Sequence, residues 1–260
     1  MQFVTSDGVK LEYDDDGHGM PVVITTGYAG FKEIWHQQVR ALISNGYRVI
    51  NLDRRNHGRS EQTDKGLRMS RQGKDIQELL AYLNINKFNA MGNSMGAATF
   101  WAYVSLFGDG CINKMISVDQ SPKMITDSSW PYGLLDLTWN NFPKASEEMY
   151  GVKTTVKNID NETYKILKKD QNGYEFDYEL NKSLLYDHAF QDWRDIIESM
   201  QCQTLYIAGA QSPFWSSDHA KEAARISSNG EYAVVQDSGH IVMAEQTEKF
   251  NKLMLDFFDK

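Results

Sequence analysis

The chain has 260 residues, with 27 Lys and Arg against 35 Asp and Glu for a formal net charge of −8. That length suits one domain with a sizeable core, since single cores stop growing at roughly 250–300 residues. The acidic balance, with no basic block, excludes nucleic acid as a partner, and 41% hydrophobic with 24% charged residues is the composition of a folded globular chain.

Read from the N-terminus, Met1-Gln2-Phe3-Val4-Thr5 lacks the basic and apolar regions of a signal peptide, so a cytoplasmic location is expected. No later run approaches the roughly 18 apolar residues of a membrane span, and no membrane partner is expected. Residues 3–5 and 11–13, around Asp7-Gly8, predict a hairpin; 21–25, 48–52, 88–91, 114–118, 204–208 and 232–235 predict buried strands. Amphipathic segments lie between them. Ile76, Leu79, Leu80 and Leu83 recur at helical spacing, and Phe250, Leu253, Met254, Phe257 and Phe258 form a terminal stripe that suits a helix docked on a sheet. This alternation predicts an α/β fold with a mostly parallel sheet covered on both faces. From 120 to 200 no strand pattern appears, yet the stretch is rich in Trp, Tyr and Phe; a structureless loop of that length is improbable, so short helices forming a lid are expected there, a few of their aromatics lining a pocket. Cys111 and Cys202 are too few for a disulfide framework and lack metal-ligand spacing, so both are expected as reduced thiols in the core or beside strands.

The strongest chemical signal is Gly92-Asn93-Ser94-Met95-Gly96, which follows the apolar run 88–91 and precedes a helical pattern over 97–106. A G-x-S-x-G turn between strand and helix holds a serine in strained backbone with its hydroxyl exposed, and the helix start aims N–H groups at developing negative charge. With Pro21-Val22-Val23-Ile24-Thr25-Thr26-Gly27-Tyr28-Ala29-Gly30, Asp53-Arg54-Arg55-Asn56-His57-Gly58-Arg59-Ser60 and Asp237-Ser238-Gly239-His240, the chain resembles the α/β-hydrolase family over nearly its whole length. The resemblance implies an α/β-hydrolase core at 1–119 and 201–260 with a helical lid at 120–200, inserted after the sixth strand.

By the same resemblance Ser94 is the nucleophile, His240 the base, and the backbone amides of Tyr28 and Met95 the oxyanion donors. His57 belongs to a loop beneath the site rather than to the triad, while His18, His36, His188 and His219 have no catalytic setting. Two positions depart from the family. Its usual His-Gly pair reads Thr26-Gly27, and its acid position after the seventh strand holds Ser212. A neutral serine cannot stabilise an imidazolium, which makes Asp119, at the end of the sixth strand, the candidate acid; the carboxyl ends of adjacent parallel strands converge on one crevice. Asp218 is a second candidate, and Asp237 is too near His240 in sequence to orient it. No metal site, nucleotide loop or other cofactor motif is found. The expected function is a serine hydrolase cleaving a small, partly apolar carboxylic ester or related acyl substrate through an acyl-enzyme. A cofactor-free dioxygenase of the same fold and a non-enzymatic ligand-binding or signalling protein are the alternatives.

Overall fold

The computed structural model describes residues 1–134 and 137–260. Eight strands form one sheet: β1 (Gln2–Val4), β2 (Lys10–Gly17), β3 (Pro21–Thr25), β4 (Arg48–Leu52), β5 (Phe88–Asn93), β6 (Ile112–Val118), β7 (Gln203–Gly209) and β8 (Gly230–Val235). Their spatial order is β1-β2-β4-β3-β5-β6-β7-β8. The pairs β1/β2 and β2/β4 are antiparallel and all others parallel. A short turn at Asp7-Gly8 permits the hairpin, whereas each parallel pair needs a crossover, supplied here by helices.

These helices are α1 (His36–Ser44), which follows a 3-10 turn at Lys32–Trp35, α2 (Met69–Tyr82), α3 (Met95–Phe107), α4 (Lys144–Glu147), α5 (Asn161–Gln171), α6 (Tyr178–Phe190), α7 (Arg194–Ser199), α8 (Asp218–Ile226), α9 (Val242–Glu245) and α10 (Thr247–Asp259). Among the described residues, none is long and apolar enough to cross a membrane. Strand alternation sorts the core into two layers. Val23, Ile50, Ala90 and Met115 face α2, α3 and α8. Val22, Ile24, Val49, Met91 and Ile116 face α1 and α10, packing with Trp35, Leu42, Phe250 and Phe257.

The hairpin's second strand runs past the expected end at Tyr13, through Asp14, Asp15 and Asp16 to Gly17. Three aspartates are poor strand formers, but β4 overrides their preference: Asp15 accepts a bidentate bond from Arg48, 2.8 Å from Nε and 2.6 Å from Nη2, within a ladder that extends to Gly17 opposite Arg48.

Between β6 and β7 the chain leaves the sheet and builds α4 to α7. Asp160 caps α5 by accepting from the Glu162 and Thr163 amides, and Asp177 caps α6 through the Leu180 amide. A third apolar cluster, including Met124, Ile125, Leu137, Ala189, Phe214 and Trp215, joins this insertion to the loop after β7.

The terminal stripe buries Phe250, Met254, Phe257 and Phe258 and leaves Leu253 half-buried. Truncating Phe250, which is fully buried, removes a ring that this layer cannot refill. Phe250→Ala is expected to lower unfolding free energy by about 3–5 kcal/mol, read as a drop in urea midpoint with an unchanged m-value.

Candidate active site

At the end of β5 the backbone turns sharply into α3 through Ser94, whose φ of 54° and ψ of −134° lie in a region that side chains rarely adopt. Close approach explains the flanking glycines. A Cβ on Gly92 would lie 2.5 Å from the Ala97 nitrogen, and one on Gly96 would lie 2.6 Å from the Thr25 oxygen. The turn is tied down from both sides: Ser94 N–H donates to Val118 O at 2.9 Å, and Asn93 Nδ2 donates to Val118 O and to His240 O at 3.2 and 3.1 Å.

Asp119 lies one residue beyond β6 with φ +48°, fully buried. Its Oδ2 sits 2.7 Å from His240 Nδ1 and accepts from Ser212 Oγ at 2.6 Å, while Oδ1 accepts from Gly209 N–H at 2.9 Å and faces His219 Nε2 at 3.8 Å. Burial alone would raise its pKa; His219 and His240 outweigh that and hold the carboxyl down at about 2. An ionised Asp119 requires a proton on His240 Nδ1, which leaves Nε2 with its lone pair. Ser212, at the position where the resemblance expects an acid, is a donor to Asp119. Asp218 is exposed at the start of α8, bonded to Ser216, and Asp237 is exposed beside Lys157; neither pairs with His240.

The loop after β3 carries Tyr28. Among the described residues neither the Tyr28 amide nor the Met95 amide, at the start of α3, has a protein acceptor. Arg54 braces the loop from below, donating from Nε to Thr26 O at 2.9 Å and from Nη2 to Gly27 O at 3.1 Å. His57 Nδ1 is 2.8 Å from Arg55 O, so that nitrogen carries the proton and Nε2 accepts from Arg54 Nη2 at 3.0 Å. Burial and the adjacent guanidinium keep the His57 pKa well below its ordinary value. It is therefore a neutral link in the loop's support.

Ser94, His240 and Tyr28 border one cavity of about 420 Å³. The insertion supplies much of its wall, including Met149, Tyr150, Ile159, Leu167 and Tyr178. Tyr28 stacks on Tyr150 at 6.3 Å, with Phe176 edge-on at 4.8 Å. Phe214 packs edge-on against His240 at 4.8 Å. No Asp, Glu, Lys or Arg lines the cavity among the described residues, and no group of three His, Cys, Asp or Glu side chains is arranged to hold a metal.

Sequence reasoning missed Glu245. Its Oε1 accepts from Gly239 N–H at 3.0 Å, and its Oε2 from the Val156 and Lys157 amides at 2.6 and 3.0 Å. His240 N–H in turn donates to Thr154 O at 2.8 Å. One carboxylate staples the insertion to the histidine loop. Glu245→Ala leaves three amides without acceptors and is expected to cost on the order of 1–3 kcal/mol, with faster proteolysis near residues 150–160 as the local readout. Asp119 gives a pH signature with a defined sign. Its folded pKa of about 2 lies below the ordinary 3.8, so its contribution to stability is complete above about pH 4 and is lost as pH falls toward 2. Asp119→Asn is expected to flatten acid unfolding in that window, measured by urea titration at stepped pH.

A family model described as the alpha/beta hydrolase fold matches residues 20–150. A non-heme chloroperoxidase of Kitasatospora aureofaciens is 26% identical over 277 aligned positions, covering 98% of each chain. An sn-1-specific diacylglycerol lipase of Xenopus laevis is 25% identical, covering 95% of this chain and 82% of that one. Among solved structures, an esterase from Exiguobacterium antarcticum superposes with a TM-score of 0.87 at 20% identity, covering 100% of this chain and 99% of that one. With that model matched over residues 20–150, half of this chain, the chain belongs to the α/β-hydrolase fold family.

Proposed function

We propose that this protein is a serine hydrolase that cleaves a neutral, partly apolar carboxylic ester of a small molecule through an acyl-enzyme, with residues 120–200 acting as a cap on the core. The observation that carries the reading is the 2.7 Å contact between buried Asp119 and His240 Nδ1, on a histidine that shares its cavity with Ser94. In this mechanism Ser94 Oγ bonds to the acyl carbon while its proton passes to His240 Nε2. The carbonyl oxygen becomes negative facing the Tyr28 and Met95 amides. As the tetrahedral species collapses, the C–O bond to the alcohol breaks and His240 gives the alcohol its proton. Water, deprotonated by His240, then attacks the acyl carbon and releases the acid and Ser94. Asp119 stabilises the imidazolium at each stage without taking a proton.

The two departures that favour a non-enzymatic reading have physical replacements: Ser212 donates to Asp119, and Arg54 holds the carbonyls of Thr26 and Gly27. The uncharged cavity supports a neutral substrate, because burying an unpaired charge costs several kcal/mol.

The test is an ester panel varied in acyl and alcohol size, assayed with and without dioxygen, beside fluorophosphonate labelling. Ser94→Ala is expected to abolish labelling and to lower turnover about 10⁶-fold. Asp119→Asn is expected to lower kcat on the order of 10⁴-fold, while Asp218→Asn retains it. Esters bearing a carboxylate are expected to fall about 100-fold or more below neutral esters of the same size in kcat/KM. A folded wild type that neither labels nor turns over any ester sinks the hydrolase reading, and turnover that requires dioxygen replaces it with the oxygenase.

A further inference from the structure

Arg54 is 2% exposed, and among the described residues it forms no ion pair. Asp75, an acidic neighbour, is clamped between Arg55 and Arg71. The carboxyl of Asp53, buried and near Glu33, is pushed up to about 7, so at neutral pH its charge is only partial. A guanidinium removed from water without a carboxylate partner costs several kcal/mol, and such a charge persists where its donors are well used. Here they are spent on Thr26 O, Gly27 O, His57 Nε2 and Gln72 Oε1. His188, the other buried histidine near it, is held neutral by burial and by Arg54 itself, its pKa lowered to about 3.

The two carbonyls differ in what lies on their far side. Gly27 C=O and Tyr28 N–H belong to the same planar peptide group. Donation to the oxygen draws electron density from the nitrogen and makes its N–H a stronger donor, the way hydrogen bonds in series reinforce one another in a low dielectric. Gly27 O also accepts from Gly30 N–H at 3.1 Å, which adds to the same pull. The Tyr28 N–H at the other end has no acceptor among the described residues, and Tyr28 borders the cavity shared with Ser94.

We propose that Arg54 is a positioning residue for the reaction: through the Gly27 carbonyl it polarises the Tyr28 amide and extends a buried positive charge toward the oxygen that becomes negative. This rests on the serine hydrolase reading. The charge reaches the oxyanion through one peptide and never touches substrate, so it acts on the step in which charge develops and not on ground-state binding.

The experiment compares wild type, Arg54→Gln and Arg54→Lys by the amide ¹⁵N and ¹H resonances of Tyr28 and Met95 and by kcat and KM on the best neutral ester. Arg54→Gln is expected to shift the Tyr28 amide upfield while Met95 stays in place, and to lower kcat about 10- to 100-fold with KM within about twofold. Arg54→Lys, which keeps the cation, is expected to recover most of that kcat. Wild-type kcat in Arg54→Gln, an unmoved Tyr28 amide, equal losses in both variants, or a loss carried by KM would each overturn the proposal. Should Arg54→Gln fail to fold, Arg54→Lys decides alone: a displaced Tyr28 resonance with a kcat loss below about tenfold and unchanged KM supports it, and a rise in KM overturns it. An inert wild type overturns the hydrolase reading itself, whereas an active wild type with an unaffected Arg54→Gln overturns only this inference.

Discussion

A carboxylate shut away from water must be answered by fixed donors, and Asp119 draws its donors from two stretches of chain far from it in sequence. Gly209 stands at the end of β7, Ser212 on the loop that follows, and His240 on the loop after β8. Each of these lies 90 or more residues from Asp119 in sequence. The parallel ladder from β6 through β7 to β8 is what brings their carboxyl ends level. The ionised state of this one group therefore depends on the register of three strands, and the orientation of the histidine depends on that ionised state.

The same logic explains how Asp119, which follows β6 rather than β7, reaches His240. What the imidazole requires is an oxygen near Nδ1, held in place. Asp119 reaches it with φ in the left-handed region, its own N–H donating to Ile207 O at 2.6 Å. Ser212, on the loop after β7, presents a hydroxyl that donates to Asp119 where a carboxylate would only accept. Two facing carboxylates would have repelled each other and raised a pKa; Ser212 gives the opposite sign.

Much of this was legible from local pattern. Strand and helix alternation survives in sequence because burial imposes a period on each element, and the run from Phe88 through Ser94 into α3 can be read as strand, turn and helix from its own residues. Asp119 and His240 were legible because each follows a strand at a fixed offset. What escaped were the partners chosen by tertiary approach. Nothing around Arg54 shows that its guanidinium spans two carbonyls 27 or 28 residues earlier, and His219 reads as an ordinary helix residue until α8 brings it to Asp119. Glu245 sits on a four-residue helix after the histidine and has no motif of its own. The extension of β2 was hidden for a related reason: Asp15 is answered by Arg48 on the neighbouring strand and Asp14 by Lys32, both remote in sequence.

The shared carboxylate of Glu245 links two elements usually treated as independent. The chain from Thr154 to Lys157, which belongs to the helical insertion, and the loop bearing His240 are each bonded to it or to one another by backbone groups. Any movement that lifts this part of the insertion must break those bonds or carry the histidine loop along. Admission of a substrate by that route and alignment of the base are then a single equilibrium. Where the Tyr28 loop meets the insertion, Tyr28, Tyr150, Phe176 and Tyr178 touch through ring contacts and one 3.5 Å hydroxyl contact between Tyr28 and Tyr150, so a movement confined to these rings breaks that tyrosine pair and leaves the imidazole's own bonds intact.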